Sequence, residues 1–381
     1  MSTKPIPLAI PDLGGREGDY LAACVRDNWV SSAGPHVGEM EARMAALCGR
    51  RHAVATVNGT TALHLALLVA GVGAGDMVVV PDFTFAATAN AVAHAGATPL
   101  FVDVTEESWT LDPALLAAAL AEPGARVRAI LAVHALGHPA DMDAIARIAA
   151  PLGIPVIEDA AGAIGARYKG RSVGALGAAA IFSFNGNKTV TAGGGGMIVT
   201  DNEAWAERAR SLSTQAREGR TYRHNEIGFN YRMTNVNAAL GLAQLERLDD
   251  MVAAKRTLAA RYDAAFAGRA DMRPMPRAAW VESGCWLYSL RCATRADAAD
   301  LIATLAARDI EARTFWEGLA GQAPWRDCPR RLAGVSEALS GTVVSLPCSS
   351  HLTAAEQQRV IDAVAGWHGG AVTETRTAEI A

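Results

Sequence analysis

The sequence predicts an α/β protein in which a mostly parallel sheet is sandwiched by helices and followed by a smaller α+β unit toward the C-terminus. Short apolar runs rich in valine and isoleucine alternate with segments of helical period through the first two thirds of the chain. Such alternation implies right-handed crossovers and a sheet covered on both faces. The composition agrees: 50% hydrophobic residues, 19% charged residues and 36 glycines suit a compact α/β chain better than a disordered or fibrous one. At 381 residues the chain has room for two or three domains at roughly 100 to 200 residues each.

In chain order, residues 1–15 read as a Pro/Gly-rich arm and Gly18 to Asn28 as a helix broken by Trp29-Val30-Ser31-Ser32-Ala33-Gly34. Met40, Met44 and Leu47 recur at helical spacing over Glu39 to Cys48, and Gly49 ends that helix. Ala53 to Val57 reads as a strand, and Asn58-Gly59-Thr60-Thr61 leads from it into an apolar helix over Ala62 to Leu68. A strand, a Gly-Thr turn and a helix N-terminus together form an anion site, with hydroxyls from Thr60 and Thr61; plain helix capping by Asn58 or Thr60 is the alternative. Met77 to Val80 is the next strand, and Pro81-Asp82-Phe83-Thr84-Phe85 follows it. Phe85 suits a planar ligand or the core equally.

Leu100 to Val104, Val127 to Val133, Ile154 to Ile157, Ala178 to Phe184 and Gly196 to Thr200 supply further strands. Helices are expected over Asp112 to Ala121, Asp141 to Ala150, Glu203 to Leu212 and Val236 to Leu248. The large unit then covers 16–248. A smaller unit over 249–367 contains helices at Lys255 to Phe266 and Arg295 to Arg308 and a strand at Trp286 to Cys292, and 368–381 reads as a frayed polar tail.

Two stretches point to chemistry. Ile154-Pro155-Val156-Ile157 ends in Glu158-Asp159-Ala160-Ala161, so a carboxylate emerges at a strand end among small residues. Ala178 to Phe184 delivers Asn185-Gly186-Asn187-Lys188 into a turn closed by Gly193 to Gly196. Ligands of open α/β sheets bind beyond the carboxyl ends of the strands, where both groups would lie. Singly, such an aspartate caps helices and such a lysine is solvated. Together they suit pyridoxal phosphate, whose aldehyde takes a lysine amine and whose ring nitrogen takes a carboxylate.

Other classes are disfavoured. A net charge of −4 without a dense Lys/Arg block is no nucleic-acid footprint. The opening Met1-Ser2-Thr3-Lys4-Pro5-Ile6-Pro7 lacks the apolar core of a signal peptide and no apolar run reaches membrane-spanning length, so a cytoplasmic protein is expected. Cys24, Cys48, Cys285, Cys292, Cys328 and Cys348 are scattered, which fits free thiols and neither a metal site nor a disulfide framework. Gly186-Asn187-Lys188-Thr189 lacks the upstream glycine of a P-loop, since position 181 is Ile, and Gly71-Val72-Gly73-Ala74-Gly75 follows a helix and is no dinucleotide fingerprint.

Several motifs taken together resemble the DegT/DnrJ/EryC1/StrS sugar-nucleotide aminotransferases, fold type I enzymes that use pyridoxal 5′-phosphate. They are Trp29 to Gly34, Asn58 to His64, Pro81 to Asn90, His138 to Asp143, Glu158 to Ala161, Phe182 to Gly196 and Gly228 to Asn235, and the similarity spans about residues 5–350. The resemblance implies that Lys188 binds the cofactor covalently and then moves protons, and that Asp159 keeps the ring nitrogen protonated. It implies phosphate contacts from Thr60, Thr61 and Ser183, stacking by Phe85, and a phosphate contact from Asn230 of a neighbouring subunit, hence a homodimer with shared active sites. The partners it implies are an amino-acid donor, usually glutamate, and a nucleotide-linked keto sugar, in the assembly of lipopolysaccharide, other surface glycans or natural products.

The dehydratase branch of the family carries histidine at the lysine position, so Lys188 argues for amine transfer. The stretch Phe184 to Lys188 with Gly193 to Gly196 is most similar to the branch acting on UDP-4-keto-6-deoxy-N-acetylhexosamines, with the perosamine branch, acting on GDP-4-keto-6-deoxymannose, as the alternative. Activity on a different keto sugar or a cyclitol, and a non-catalytic, cofactor-binding regulatory role, are also compatible with the resemblance. By position, Trp29, Ser31, Phe315 and Trp316 are candidates for the substrate pocket. Three positions depart from the family pattern: Gly162 replaces a side chain that contacts cofactor or sugar, and Thr314 and Ala320 stand where proline and histidine are usual.

Overall fold

The structure, a computed structural model, describes residues 4–369 apart from 123, 125 and 220. Most of the expected tail therefore lies outside the described residues. The first half of the chain runs α1 (Glu17–Arg26), α2 (Pro35–Cys48), β1 (His52–Thr56), α3 (Gly59–Val69), β2 (Met77–Pro81), α4 (Ala87–His94), β3 (Thr98–Val102), α5 (Pro113–Leu120), β4 (Val127–Val133), α6 (Met142–Ala149) and β5 (Val156–Asp159). It continues through β6 (Arg167–Tyr168), β7 (Arg171–Ser172), β8 (Ala179–Ser183), β9 (Gly196–Thr200), α7 (Glu203–Ser213) and α8 (Asn235–Leu245). Then come α9 (Leu248–Phe266), β10 (Met272–Pro274), β11 (Val281–Glu282), β12 (Tyr288–Cys292), α10 (Arg295–Ala306), β13 (Arg313–Thr314), β14 (Arg330–Arg331), α11 (Val335–Leu339), β15 (Val343–Leu346) and α12 (Ala354–Ala365).

Local chemistry sets many of these ends. Asn58 caps α3 by accepting the Thr61 N–H, Asp112 caps α5 ahead of Pro113, and Thr294 and Thr353 form capping boxes with Asp297 and Glu356. The two helices expected over Val236 to Leu248 and Lys255 to Phe266 are present with a shorter gap between them: α8 stops at Leu245, and α9 begins at Leu248, seven residues ahead of the expected Lys255. Apolar periodicity runs through the join, and Arg247, whose guanidinium bonds Asp12 of the N-terminal arm, sits at the break.

The main sheet has eight strands in the order β1-β9-β8-β5-β4-β2-β3-β14. From β8 to β14 all neighbours are parallel, whereas β9 runs antiparallel to both β1 and β8. Strand succession reverses between β2 and β4, which creates a crevice at the carboxyl ends of the parallel strands. A second, antiparallel sheet, β10-β12-β15-β13, packs with α9, α10 and α12.

Contacts cross between these regions at several points. Ile6 and Leu8 of the arm are buried in the same cluster as Tyr262, Leu290 and Val360. β14, from the C-terminal third, adds a parallel edge to β3. Asp103, just past β3, accepts backbone N–H bonds from Val104, Ala333, Gly334, Val335 and Ser336 and so ties α11 to the main sheet. Among the described residues no helix is long and apolar enough to cross a membrane, and no cluster of His, Cys, Asp and Glu is suited to a metal ion.

Replacing Asp103 by alanine strands several buried N–H groups, each worth about 1 kcal/mol or more when unsatisfied. Asp103→Ala is expected to lower unfolding free energy by about 3 kcal/mol or more, measured by denaturant titration against the native chain.

Candidate active site

The crevice at the strand reversal holds a cavity of about 280 Å³. Its wall brings together Thr60, Phe85, Asp159, Ser183, Lys188, Phe315 and Trp316 of the residues singled out in the sequence. Each arrives from a different element: Thr60 from the first turn of α3, Asp159 from the last residue of β5, Ser183 from the last residue of β8, and Lys188 from the turn after it. The parallel register pairs Asp159 with Ile181, so the acid and the lysine turn stand at neighbouring strand ends.

Thr61 does not line the cavity. Its hydroxyl donates to the Asn58 carbonyl and its N–H to the Asn58 side chain, so it completes the helix cap. Trp29 and Ser31 are exposed and lie outside the cavity wall, in a loop whose carbonyls accept from Asn235. Asn230 is exposed and also outside it. Phe85 stands at the rim with 62% of its surface accessible. Ala320 is buried, with its N–H on Asp82, and is not part of the wall. Thr314 borders a shallower neighbouring recess together with Phe85 and Trp316.

Asp159 is buried, and burial pushes its carboxyl above the usual range, opposed by the Thr88 hydroxyl at 2.8 Å, the Ala161 N–H at 3.2 Å and the nearby Lys188 amine. Burial likewise pulls the Lys188 amine down to about 7, with Asp159 partly opposing the shift. A lysine so placed is a nucleophile at neutral pH. The Lys188 Nζ also sits 3.4 Å from the ring centroid of Trp286.

Sequence reasoning passed over three parts of this arrangement. Glu158 and Asp159 are consecutive on a strand and point to opposite faces. Burial favours protonation of Glu158, but bonds from His134 at 3.0 Å and from the N–H groups of Gly174, Leu176 and Gly177 hold its carboxyl below the usual range. His134 accepts the Ala140 N–H at Nδ1, so its hydrogen is on Nε2 and points to Glu158. Thr88 bonds Asp159 and is backed by the Thr84 hydroxyl at 3.2 Å. Trp286 comes from the C-terminal half, and no motif marks it.

The sequence profile of the DegT/DnrJ/EryC1/StrS aminotransferase family matches residues 11–365. The chain belongs to that family. It is 40% identical over 371 residues to the GDP-perosamine synthase of Caulobacter vibrioides, covering 96% of this chain and 99% of that one. It is also 40% identical over 368 residues to EpsN of Bacillus subtilis, which bears the name of a pyridoxal phosphate-dependent aminotransferase, with 94% and 95% of the two chains covered. Its fold superimposes on a DegT/DnrJ/EryC1/StrS aminotransferase from Brucella abortus with a TM-score of 0.87 at 31% identity, over 93% of this chain and 96% of that one. The protein is a pyridoxal phosphate-dependent aminotransferase.

The residues of this DegT-family site fit that cofactor. A Cβ at Gly59 would come 2.8 Å from the Ser183 Cβ, so only glycine leaves the helix N-terminus open beside the serine hydroxyl, as a phosphate requires. A carboxylate and a desolvated amine face the same space, and when bound the cofactor supplies the aldehyde that takes up an amine and the ring that accepts electron density.

In cofactor-free protein, modification of Lys188 by an amine-selective reagent is expected to rise through a midpoint near 7, against the ordinary 10.5, as read by peptide mapping across pH. The unfolded chain holds the extra proton throughout that window. Stability relative to Lys188→Met is therefore expected to increase as pH rises from about 7 toward 10.5.

Proposed function

We propose that this aminotransferase moves an amino group from an amino acid, L-glutamate in the first instance, to the 4-keto carbon of a nucleotide-linked 4-keto-6-deoxy sugar. The observation that carries the reading is the pairing of the desolvated Lys188 amine with buried Asp159 in a cavity that has aromatic side chains on several sides. Asp159, with Thr88 behind it, would hold the cofactor's ring nitrogen protonated. Ser183, Thr60 and the N-terminus of α3 would take the phosphate. Lys188, once free, would carry protons to and from the reacting carbon, a task suited to an amine titrating near neutral pH.

No arginine lines the cavity, and Lys188 is the one lysine on its wall among the described residues. The negative charge of a nucleotide diphosphate therefore calls for groups from beyond this wall. That supports a homodimer with shared sites, in which the exposed Asn230 reaches the partner's cofactor. The arrangement retains the parts needed for turnover, which favours an enzyme over a cofactor-binding regulator.

Two sugars are favoured by different observations. The likeness to GDP-perosamine synthases supports GDP-4-keto-6-deoxymannose, and the Phe184 to Lys188 stretch supports a UDP-linked 4-keto-6-deoxy-N-acetylhexosamine. The buried Trp316 Nε1 has no hydrogen-bond partner among the described residues and is suited to donate to a sugar hydroxyl or acetamido oxygen.

Adding glutamate to the cofactor-loaded protein is expected to shift its visible absorbance band to shorter wavelength, and Lys188→Ala is expected to lose that reversible change. Supplying the GDP- and UDP-linked keto sugars separately should return the band with one of them; failure with both would overturn the sugar assignment. With the accepted sugar, Trp316→Phe is expected to raise KM about 5- to 10-fold, the equivalent of about one hydrogen bond, while the glutamate half-reaction stays unchanged.

A further inference from the structure

Trp286 lies far from every motif, yet it is nearly enclosed, at 6% exposure, against the turn that carries the lysine. Its Nε1 donates to the carbonyl of Asn187 at 2.9 Å, one residue before Lys188, and its ring lies under the Lys188 amine. Its backbone is pinned as well: the buried Lys255 ammonium bridges the carbonyls of Trp286, at 3.1 Å, and Cys348, at 2.6 Å. The Phe315 ring meets the indole edge-to-face, with centroids 6.3 Å apart.

The space that admits the indole is left by Gly162. A Cβ built there would come 2.6 Å from the indole Cε3. Gly162 has no left-handed backbone requirement, so this contact decides the residue. The unusual glycine after Glu158-Asp159-Ala160-Ala161 and the tryptophan from the other half of the chain are two sides of one joint.

We infer that Trp286 is a positioning residue for Lys188: its indole face seats the free amine over the cavity, and Gly162 is the matching gap that lets the ring reach it. The inference rests on Lys188 being the cofactor lysine. A cation is attracted to the ring face, whereas the rest of the enclosure disfavours charge. The other titratable side chains on the cavity wall are Asp159 and His134, and His134 is already committed to Glu158 and Ala140. Removing the ring therefore takes from Lys188 one of two neighbours on the wall that favour its charged form and leaves Asp159 as the other.

The test is made on cofactor-free full-length protein with trinitrobenzenesulfonate as amine probe, alongside binding of pyridoxal phosphate followed by absorbance. Trp286→Leu is expected to lower the midpoint of Lys188 modification by about half to one and a half pH units, and Trp286→Phe, which keeps an aromatic face, to leave it near the native value. Gly162→Ala, which displaces the indole, is expected to weaken pyridoxal phosphate binding, and Gly162→Ala combined with Trp286→Leu to bind no worse than Trp286→Leu alone. A native-like midpoint in Trp286→Leu, or an upward shift toward that of a solvated lysine, would overturn the inference. So would losses in the two single variants that simply add in the double. Failure of the native protein to bind pyridoxal phosphate would instead overturn the reading of Lys188 itself. Far-UV circular dichroism and melting curves identify a variant that has not folded; if that is Trp286→Leu, Gly162→Ala decides by its own Lys188 midpoint, which displacement of the indole is expected to lower and a native-like value would contradict.

Discussion

The site depends on keeping one amine and one carboxylate in the same poorly hydrated space. Burial disfavours the charged form of each, raising the aspartate and lowering the lysine, while their mutual attraction works against both shifts. The result is a pair that is costly to maintain in an empty protein and well matched to a cofactor that offers an aldehyde to one and a protonated ring nitrogen to the other. The strand reversal between β2 and β4 and the open glycine at the head of α3 leave room beside this pair.

A second buried carboxylate keeps the first in place. Glu158 faces away from Asp159 along the strand and ties His134 to the loop around Gly174 to Gly177 through its side-chain and backbone donors. Because those donors satisfy its charge, Glu158 fixes the end of β5 without competing for the cofactor. Two adjacent acids thus have separate tasks: Glu158 is committed to the scaffold, whereas Asp159 keeps capacity facing the cavity.

The two halves of the molecule meet at an aromatic seam. Trp286, Phe315 and Trp316 come from the C-terminal half and border a cavity to which the N-terminal half contributes Thr60, Asp159, Ser183 and Lys188. Phe315 contacts both tryptophans edge-on, and Trp316 in turn meets Phe83 in the loop after β2. The arm at Ile6 and Leu8, the edge strand β14 and the Asp103 cap bind the same halves from the outside. The cavity wall is thereby shared by both halves, with the acid, the amine and the serine hydroxyl all from the first.

The alternation of short apolar strands with helices, and the two strand-end motifs at Asp159 and Lys188, were legible because each is written within a few consecutive residues. Two successive helices were also expected at α8 and α9, but the place of their break was not legible, since apolar periodicity runs through it and a side-chain contact with the arm accompanies it. Thr60 and Thr61 read alike as phosphate contacts, and the fold separates them: Thr60 is on the cavity wall, while Thr61 bonds Asn58 in the helix cap. Gly162 stood out as a missing side chain, and its meaning came from Trp286, more than a hundred positions away. Local order along the chain was therefore enough for the fold class, the family and the lysine-aspartate pair. Which acid faces the cavity, which threonine lines it and which aromatic ring sits beneath the amine were settled in three dimensions, because these depend on strand register and on contacts between distant segments.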